Sequence, residues 1–224
     1  MYKLSPSDLT FLWSGCKHCF YLKVKHNIIY RGVFPGIFGK MANLTSNFYH
    51  GQPSDVISPD LPPGRLILKE KFIRSTPISI PGLDAQAYIS GRFDAVIEFE
   101  DGGYAVVDYK TSDAKDEHAD FYSVQLSAYA YALENPASRA LHLSPVSRLG
   151  LFVVTPDRFE RSAGDEMVFV NHTTWVEVKR DDEKFLTLIS EVLSVLGKEN
   201  PPEPSPTCPL CAYHSQVMAL GKMS

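Results

Sequence analysis

At 224 residues, with 44% hydrophobic and 12% aromatic content, the chain has the bulk of one domain with a real core and too much apolar content for disorder. A formal charge of −4 gives no global attraction to nucleic acid, so such a partner would have to be met by a local patch. No apolar run reaches the roughly eighteen residues of a membrane span, and "MYKLSPSDLT" lacks the basic-then-apolar start of a secretion signal. An intracellular, cytoplasmic protein without a membrane partner is expected.

In chain order, "SPSDLTFLWSGC" reads as a capped helix: Ser5 or Ser7 can accept from free amides and Pro6 suits a first turn. The first forty residues hold most of their charge as Lys3, Lys17, Lys23, Lys25, Arg31 and Lys40 against Asp8. That stretch is either a solvated basic face or, with its tyrosines, a groove for single strands. "PGIFGKMANLTSNFYHG" predicts a helix with Asn43, Asn47 and His50 on one face, and "QPSDVISPDLPPGR" a loop. "RLILKEKFIRS", "AYISGRFDAVIEFE" and "YAVVDYKTS" read as strands. "DFYSVQLSAYAYALE" is a helix ending before Asn135-Pro136, and "RLGLFVVT" is a short apolar strand. "MVFVNHTTWVEVK" adds one or two strands, and "EKFLTLISEVLSVLG" is an amphipathic helix stopped by Gly197. Proline-rich "NPPEPSPT" is an extended connector. The order predicts an α/β fold with a mixed central sheet flanked by helices. It forms a single domain over 1–224, with a core at 35–197 and terminal segments 1–34 and 198–224.

The four cysteines form two C-x-x-C pairs at opposite ends, Cys16 with Cys19 and Cys208 with Cys211. In an intracellular chain such pairs point to a metal rather than to disulfides. Their separation makes the site a clasp joining the ends. Four thiolates satisfy either a tetrahedral zinc ion or a [4Fe–4S] cluster, which leaves His18 and His214 surplus.

The sharpest feature is "FDAVIEFEDGGYAVVDYKTS". A D-x-K triplet alone carries little, since Asp113-Ala-Lys115 and Asp182-Glu-Lys184 also occur, in polar runs, as does Glu177-Val-Lys179. Only Asp108 and Lys110 end an apolar strand beside another with its own inward acid, Asp94. Alternation sends Asp108 and Lys110 to one face and Tyr109 to the other. With "DGG" as a three-residue loop, Asp94 faces Lys110 and Val96 faces Asp108, with diagonal Cβ atoms roughly 7–8 Å apart. A loop of even length would throw Asp94 to the opposite face. Two converging carboxylates repel unless protonated or bridged by a cation, and oxygen ligands suit Mg²⁺ or Mn²⁺. A metal so held, beside a lysine that offsets negative charge, is machinery for phosphodiester hydrolysis. A surface salt bridge between Asp94 and Lys110 is the plainer alternative.

These residues resemble the PD-(D/E)XK nuclease superfamily, specifically its RecB-like branch, which includes CRISPR-associated nucleases bearing an iron–sulfur cluster. The likeness rests on the order "GRFDAVIEF", "YAVVDYKTS", "VQLSAYAYAL", together with "LSPSDLTFLWSGCKHCFYL" and "CPLCAYH", and spans nearly the whole chain. It implies a restriction-endonuclease-like core and a metal-dependent deoxyribonuclease acting on single-stranded or end-opened DNA. The setting would be repair, recombination or CRISPR-type processing, beside a helicase or a CRISPR or repair protein. It implies Asp94, Asp108 and the Tyr109 carbonyl as Mg²⁺ or Mn²⁺ ligands, Lys110 as catalytic lysine, and Gln125 and Tyr129 as supports of the site or DNA contacts. The branch has G-x-x-x-His on its first core helix. Here Gly39-Lys-Met-Ala-Asn43 puts asparagine, a poorer ligand, at that place, with Asn47 and His50 as possible substitutes. The cluster-bearing relatives also place one cysteine early and three late, whereas this chain splits them two and two, with Val217 where the resemblance calls for a third late cysteine. A nuclease fold that binds DNA or protein without cutting, and a zinc-clasped interaction module, are the alternatives.

Overall fold

The structure, a computed structural model, describes residues 1–30, 32, 35–112 and 117–220. Arg31 and the Asp113–Lys115 triplet lie outside them. A helix runs through residues 6–15 with a wide π turn at Asp8–Leu12 leading into α1 (Trp13–Gly15). The Ser5 hydroxyl accepts from the Asp8 amide at 3.4 Å. The other helices are α2 (Lys17–His26), α3 (Gly36–Tyr49), α4 (Glu117–Glu134), α5 (Asp182–Leu196) and α6 (Pro209–Leu220). α4 ends before Asn135-Pro136 as its sequence predicts, and Asp181 caps α5 by accepting from the Lys184 amide.

The strands are β1 (Tyr2–Leu4), β2 (Gly64–Lys69), β3 (Phe72–Arg74), β4 (Ile78–Ser79), β5 (Gln86–Arg92), β6 (Ala95–Phe99), β7 (Tyr104–Thr111), β8 (Val146–Arg161) and β9 (Met167–Glu177). They form two mixed sheets: β2-β6-β7-β8-β9, and a smaller one with β5 between β1 and β3 and also paired with β4. Two stretches expected as single strands are each divided. "RLILKEKFIRS" breaks at Glu70, which adopts φ +46, and "AYISGRFDAVIEFE" breaks at Phe93–Asp94. Each break passes the chain from one sheet to the other. Phe93 is fully buried there, so the break is anchored in the core. β8 is twice as long as its apolar stretch suggests. Beyond Val154 its residues are mostly exposed, and they pair with β9 in an arm that leaves the core.

β7 and β8 are parallel and joined through α4, the one parallel pair in the larger sheet. Such a crossover needs a helix long enough to return the chain. Alternation along β7 divides the interior. Val106 faces the larger core, which contains Leu126, Tyr129 and Leu133 of α4 and Ile189 and Leu193 of α5. Ala105, Val107 and Tyr109 face a second core with Ile97, Phe152 and Tyr49 of α3. Gly150 on β8 makes room for Trp175, since a Cβ there would lie inside the indole.

Candidate active site and cysteine clasp

The hairpin between β6 and β7 sets the site. Its pairs are Ala95 with Val107, Val96 with Val106, Ile97 with Ala105 and Glu98 with Tyr104. The expected register is therefore off by two residues. The loop is Glu100–Gly102, not "DGG". Phe99, almost fully buried, stays in the ladder and donates to the Gly103 carbonyl at 2.8 Å. Gly102 takes φ +86, and the Asp101 carboxylate accepts from the Gly103 amide at 2.8 Å. A slip of two preserves the face. Asp94 thus comes across from Asp108 rather than from Lys110, at the bend where β6 begins.

Asp94 accepts the Tyr109 amide on Oδ2 at 2.8 Å. Asp108 is 2% exposed; its Oδ1 accepts from Gln125 Nε2 at 2.9 Å, and its Oδ2 is ion-paired with Lys110 Nζ. Gln125 and Tyr129 lie one turn apart on α4, and both face this point. The Tyr129 hydroxyl donates to the Arg92 carbonyl at 2.9 Å and lies 3.5 Å from Gln125 Nε2. The Gln125 Oε1 atom is buried without a protein partner among the described residues. Asp94, Asp108, Tyr109, Lys110, Gln125 and Tyr129 are thus brought together. The plainer alternative, a salt bridge between Asp94 and Lys110, is not the pairing formed: Lys110 pairs with Asp108.

Electrostatics follow from this crowding. Burial, then the Asp108 charge, raises Asp94 to about 7, with Glu70 adding to the rise. Burial also raises Asp108, against the pull of Lys110. Burial alone would lower Lys110, but the Asp108 carboxylate outweighs it and lifts the ammonium above its usual range. A buried and a half-buried carboxylate that resist joint ionisation are a donor set that a divalent cation stabilises. The residues present fit such an ion.

Asn43 is exposed and accepts from Asn47 on its own helix at 3.1 Å, while Asn47 accepts from Lys69 at 2.5 Å. His50 is exposed at the end of α3. The other triplets play structural parts: Asp182 opens α5, and Glu177 accepts from Arg148 and from the Trp175 indole. Sequence reasoning missed Glu70 and Tyr122. Tyr122 precedes Gln125 by three residues, so helical spacing could have placed it at the site. Its ring centroid lies 4.4 Å from Lys110 Nζ.

Apart from the acids, the Sγ atoms of Cys16, Cys19, Cys208 and Cys211 all lie within 4.8 Å of one another. None is in a disulfide. Cys16 and Cys19 flank the start of α2, while Cys208 and Cys211 flank the start of α6. Burial alone would raise Cys16, but main-chain hydrogen bonds from Cys19 and Ser205 and the neighbouring thiols bring it down to about 6. Burial raises Cys19 and Cys211, the latter to about 11. His18 donates from Nδ1 to the Pro202 carbonyl at 2.7 Å, which occupies it in holding the connector. Tyr21 donates to the carbonyls of Lys198 and Glu199 at 2.9 and 2.5 Å.

A mixed sheet with a parallel crossover, one acid within β7, a second at the bend before β6 and a lysine two residues beyond the first give an α/β frame of the nuclease type. The chain matches the PD-(D/E)XK nuclease superfamily over residues 61–216 and belongs to it. No curated protein matches. The crystal structure of SSO0001 is similar in fold, with a TM-score of 0.50 and 14% identity over 89% of this chain and 79% of that one. No described helix is long and apolar enough to cross a membrane.

Proposed function

We propose that the chain is a metal-dependent deoxyribonuclease of the RecB-like branch, hydrolysing phosphodiester bonds of single-stranded or end-opened DNA. The observation that carries this reading is the convergence of Asp94 and Asp108, with Lys110 paired to Asp108 and Gln125 bonded to it. Asp94, Asp108 and the Tyr109 carbonyl would hold Mg²⁺ or Mn²⁺, which when bound polarises a phosphoryl oxygen and acidifies water. Gln125 fixes Asp108 from the helix side, and the Tyr109 amide fixes Asp94 from the strand side. Lys110 supplies positive charge where negative charge develops on the phosphate. Cleavage of end-labelled single strands with Mn²⁺ tests the reading. Lys110→Ala is expected to lower the rate by about 10³-fold, in the range of losing one charge-stabilising group. Equal rates for the variant and the native chain would remove the proposal.

The exposed Asn43, bonded within its own helix, favours a second reading: a nuclease fold that binds DNA without cutting. Retention of DNA by the native chain with no cleavage in either metal supports that one.

At the cysteines, we infer zinc rather than [4Fe–4S]. Three sulfur pairs stand 3.4, 3.7 and 3.8 Å apart. A tetrahedron with Zn–S bonds of about 2.3 Å has edges of about 3.8 Å. In a [4Fe–4S] cluster each thiolate binds a different iron, which spreads the sulfurs wider. Elemental analysis is expected to give one zinc per chain in a colourless protein; a brown protein with iron overturns the assignment.

A further inference from the structure

We propose that Tyr122 is a positioning residue for Lys110, and that Phe11 ties it to the cysteine clasp, so that the clasp's metal site sets how the lysine sits. The proposal rests on the nuclease reading for its consequence but on separate contacts for its geometry.

Lys110 is held from two sides. Asp108 takes its ammonium, and the Tyr122 ring lies 4.4 Å away, centroid to Nζ, within the range of a cation–π contact. Lysine is a point charge on a flexible four-carbon stem. One ion pair leaves that stem free to swing, whereas a ring face on a second side limits it.

Tyr122 is in turn fixed edge-on. Its ring meets Phe121 at 5.1 Å and Phe11 at 5.7 Å, both T-shaped, and Phe11 meets Phe121 at 5.3 Å. Offset and T-shaped ring pairs define angle as well as distance. Two of the three rings come from α4, but Phe11 comes from the π turn at Asp8–Leu12. The next residue, Leu12, packs against the cysteine cluster, and its carbonyl accepts the Cys16 amide at 2.8 Å. The route from sulfur to lysine is therefore Cys16, Leu12, Phe11, Tyr122, Lys110, with a direct contact or a peptide bond at each step. A π turn inserts an extra residue into a helix and is often found at functional sites. Here it lies on the segment carrying both Phe11, toward Tyr122, and Leu12, toward the sulfurs.

The test combines kinetics with a signature of Lys110 that needs no cleavage. In the native chain the ring face shifts the Lys110 ε-CH₂ resonance upfield, read by carbon–proton NMR on lysine-labelled protein. Tyr122→Phe keeps the ring and is expected to keep both the shift and kcat. Tyr122→Leu is expected to lose the shift and lower kcat about tenfold, with KM within about twofold. Phe11→Ala should move the same resonance part of the way. Cys211→Ser, at the least buried of the four sulfurs, should do likewise if the metal is lost while circular dichroism shows the fold retained. If that variant does not fold, Phe11→Ala and Leu12→Ala decide. A Lys110 resonance unmoved by Tyr122→Leu or by Phe11→Ala overturns the proposal whether or not the chain cuts DNA. Resonances that move as expected in a chain that cleaves nothing support the contact and sink only the nuclease reading.

Discussion

The acidic site and the cysteine clasp solve the same problem by opposite routes. Each gathers groups that disfavour one another when ionised, two carboxylates in one case and four thiols in the other. The acids are 14 positions apart in sequence and are brought together by one hairpin and strand alternation. The cysteine pairs are nearly the whole chain apart, with contacts spanning 189 to 195 positions, and they meet only when the rest of the fold has delivered both ends. The first site is thus built by local geometry inside a finished core. The second helps to finish the fold, and a bound metal would return its binding energy as folding energy.

If that division is right, damage to the clasp costs chiefly stability, reaching the chemistry only in part through Leu12, Phe11 and Tyr122, while damage to the acids costs chemistry outright. The largest effect is expected at the clasp. Structural zinc sites contribute on the order of 10 kcal/mol of metal-binding energy in small peptides. Cys19→Ser is expected to lose the zinc and lower the melting temperature by about 10 °C, which corresponds to roughly 3 kcal/mol at this chain length. Calorimetry with metal analysis checks it. An unchanged transition in metal-free protein would mean that contacts such as Tyr21 to Lys198 and His18 to Pro202 hold the ends alone.

Asp94→Asn should separate the two regions most sharply. The native carboxyl titrates near 7, above its usual range, mainly because it is buried and then because Asp108 is close. In metal-free protein a raised carboxyl gives stability that is fully present below about pH 4 and is lost as pH rises through about 7. Asparagine carries no charge to bury and can still accept the Tyr109 amide. At pH 8 the metal-free variant is therefore expected to be more stable than the native chain, by about 1–3 kcal/mol, while cleavage falls about 10³-fold. Native affinity for Mn²⁺ should also rise about tenfold per pH unit up to about 7 as the ion displaces one proton, and then level off. Calorimetric titration from pH 5.5 to 8 reads this. A flat affinity would mean that Asp94 does not ligate.

How much of this was legible depends on distance along the chain. The face shared by Asp108 and Lys110 follows from alternation alone, and the C-terminal ends of α4 and α5 follow from Pro136 and Gly197, whereas α4 begins three residues before the Asp120 that its apolar pattern suggests. The clasp followed from two C-x-x-C units. The register did not, because whether Phe99 stays paired depends on its burial against the second core. The breaks at Glu70 and Asp94 were also hidden. Both strands keep their apolar patterns across the break, and only the packing of Phe93 shows that one chain serves two sheets. Tyr122 was missed because one aromatic among several on a helix reads as core until a lysine from another element is set over it. The sheet exposes such pairings only after the parallel β7–β8 crossover returns α4 across it.

The smallest expected effect concerns that second sheet. Tyr129 donates to the carbonyl of Arg92, the last residue of β5 and two before Asp94. It therefore links α4 to the smaller sheet at the point where the chain turns toward the acids. Tyr129→Phe keeps the buried ring and removes one hydroxyl. The cost is one hydrogen bond in a part-buried setting, about 1 kcal/mol, or about 2–4 °C in melting temperature. The chemistry should fall by less than about tenfold, because Gln125 still holds Asp108 and the Tyr109 amide still holds Asp94. A loss of activity comparable to that of Asp94→Asn would mean that the bend is held chiefly from the helix. The position of Asp94, like that of Asp108 under Gln125, would then depend on α4 rather than on the hairpin.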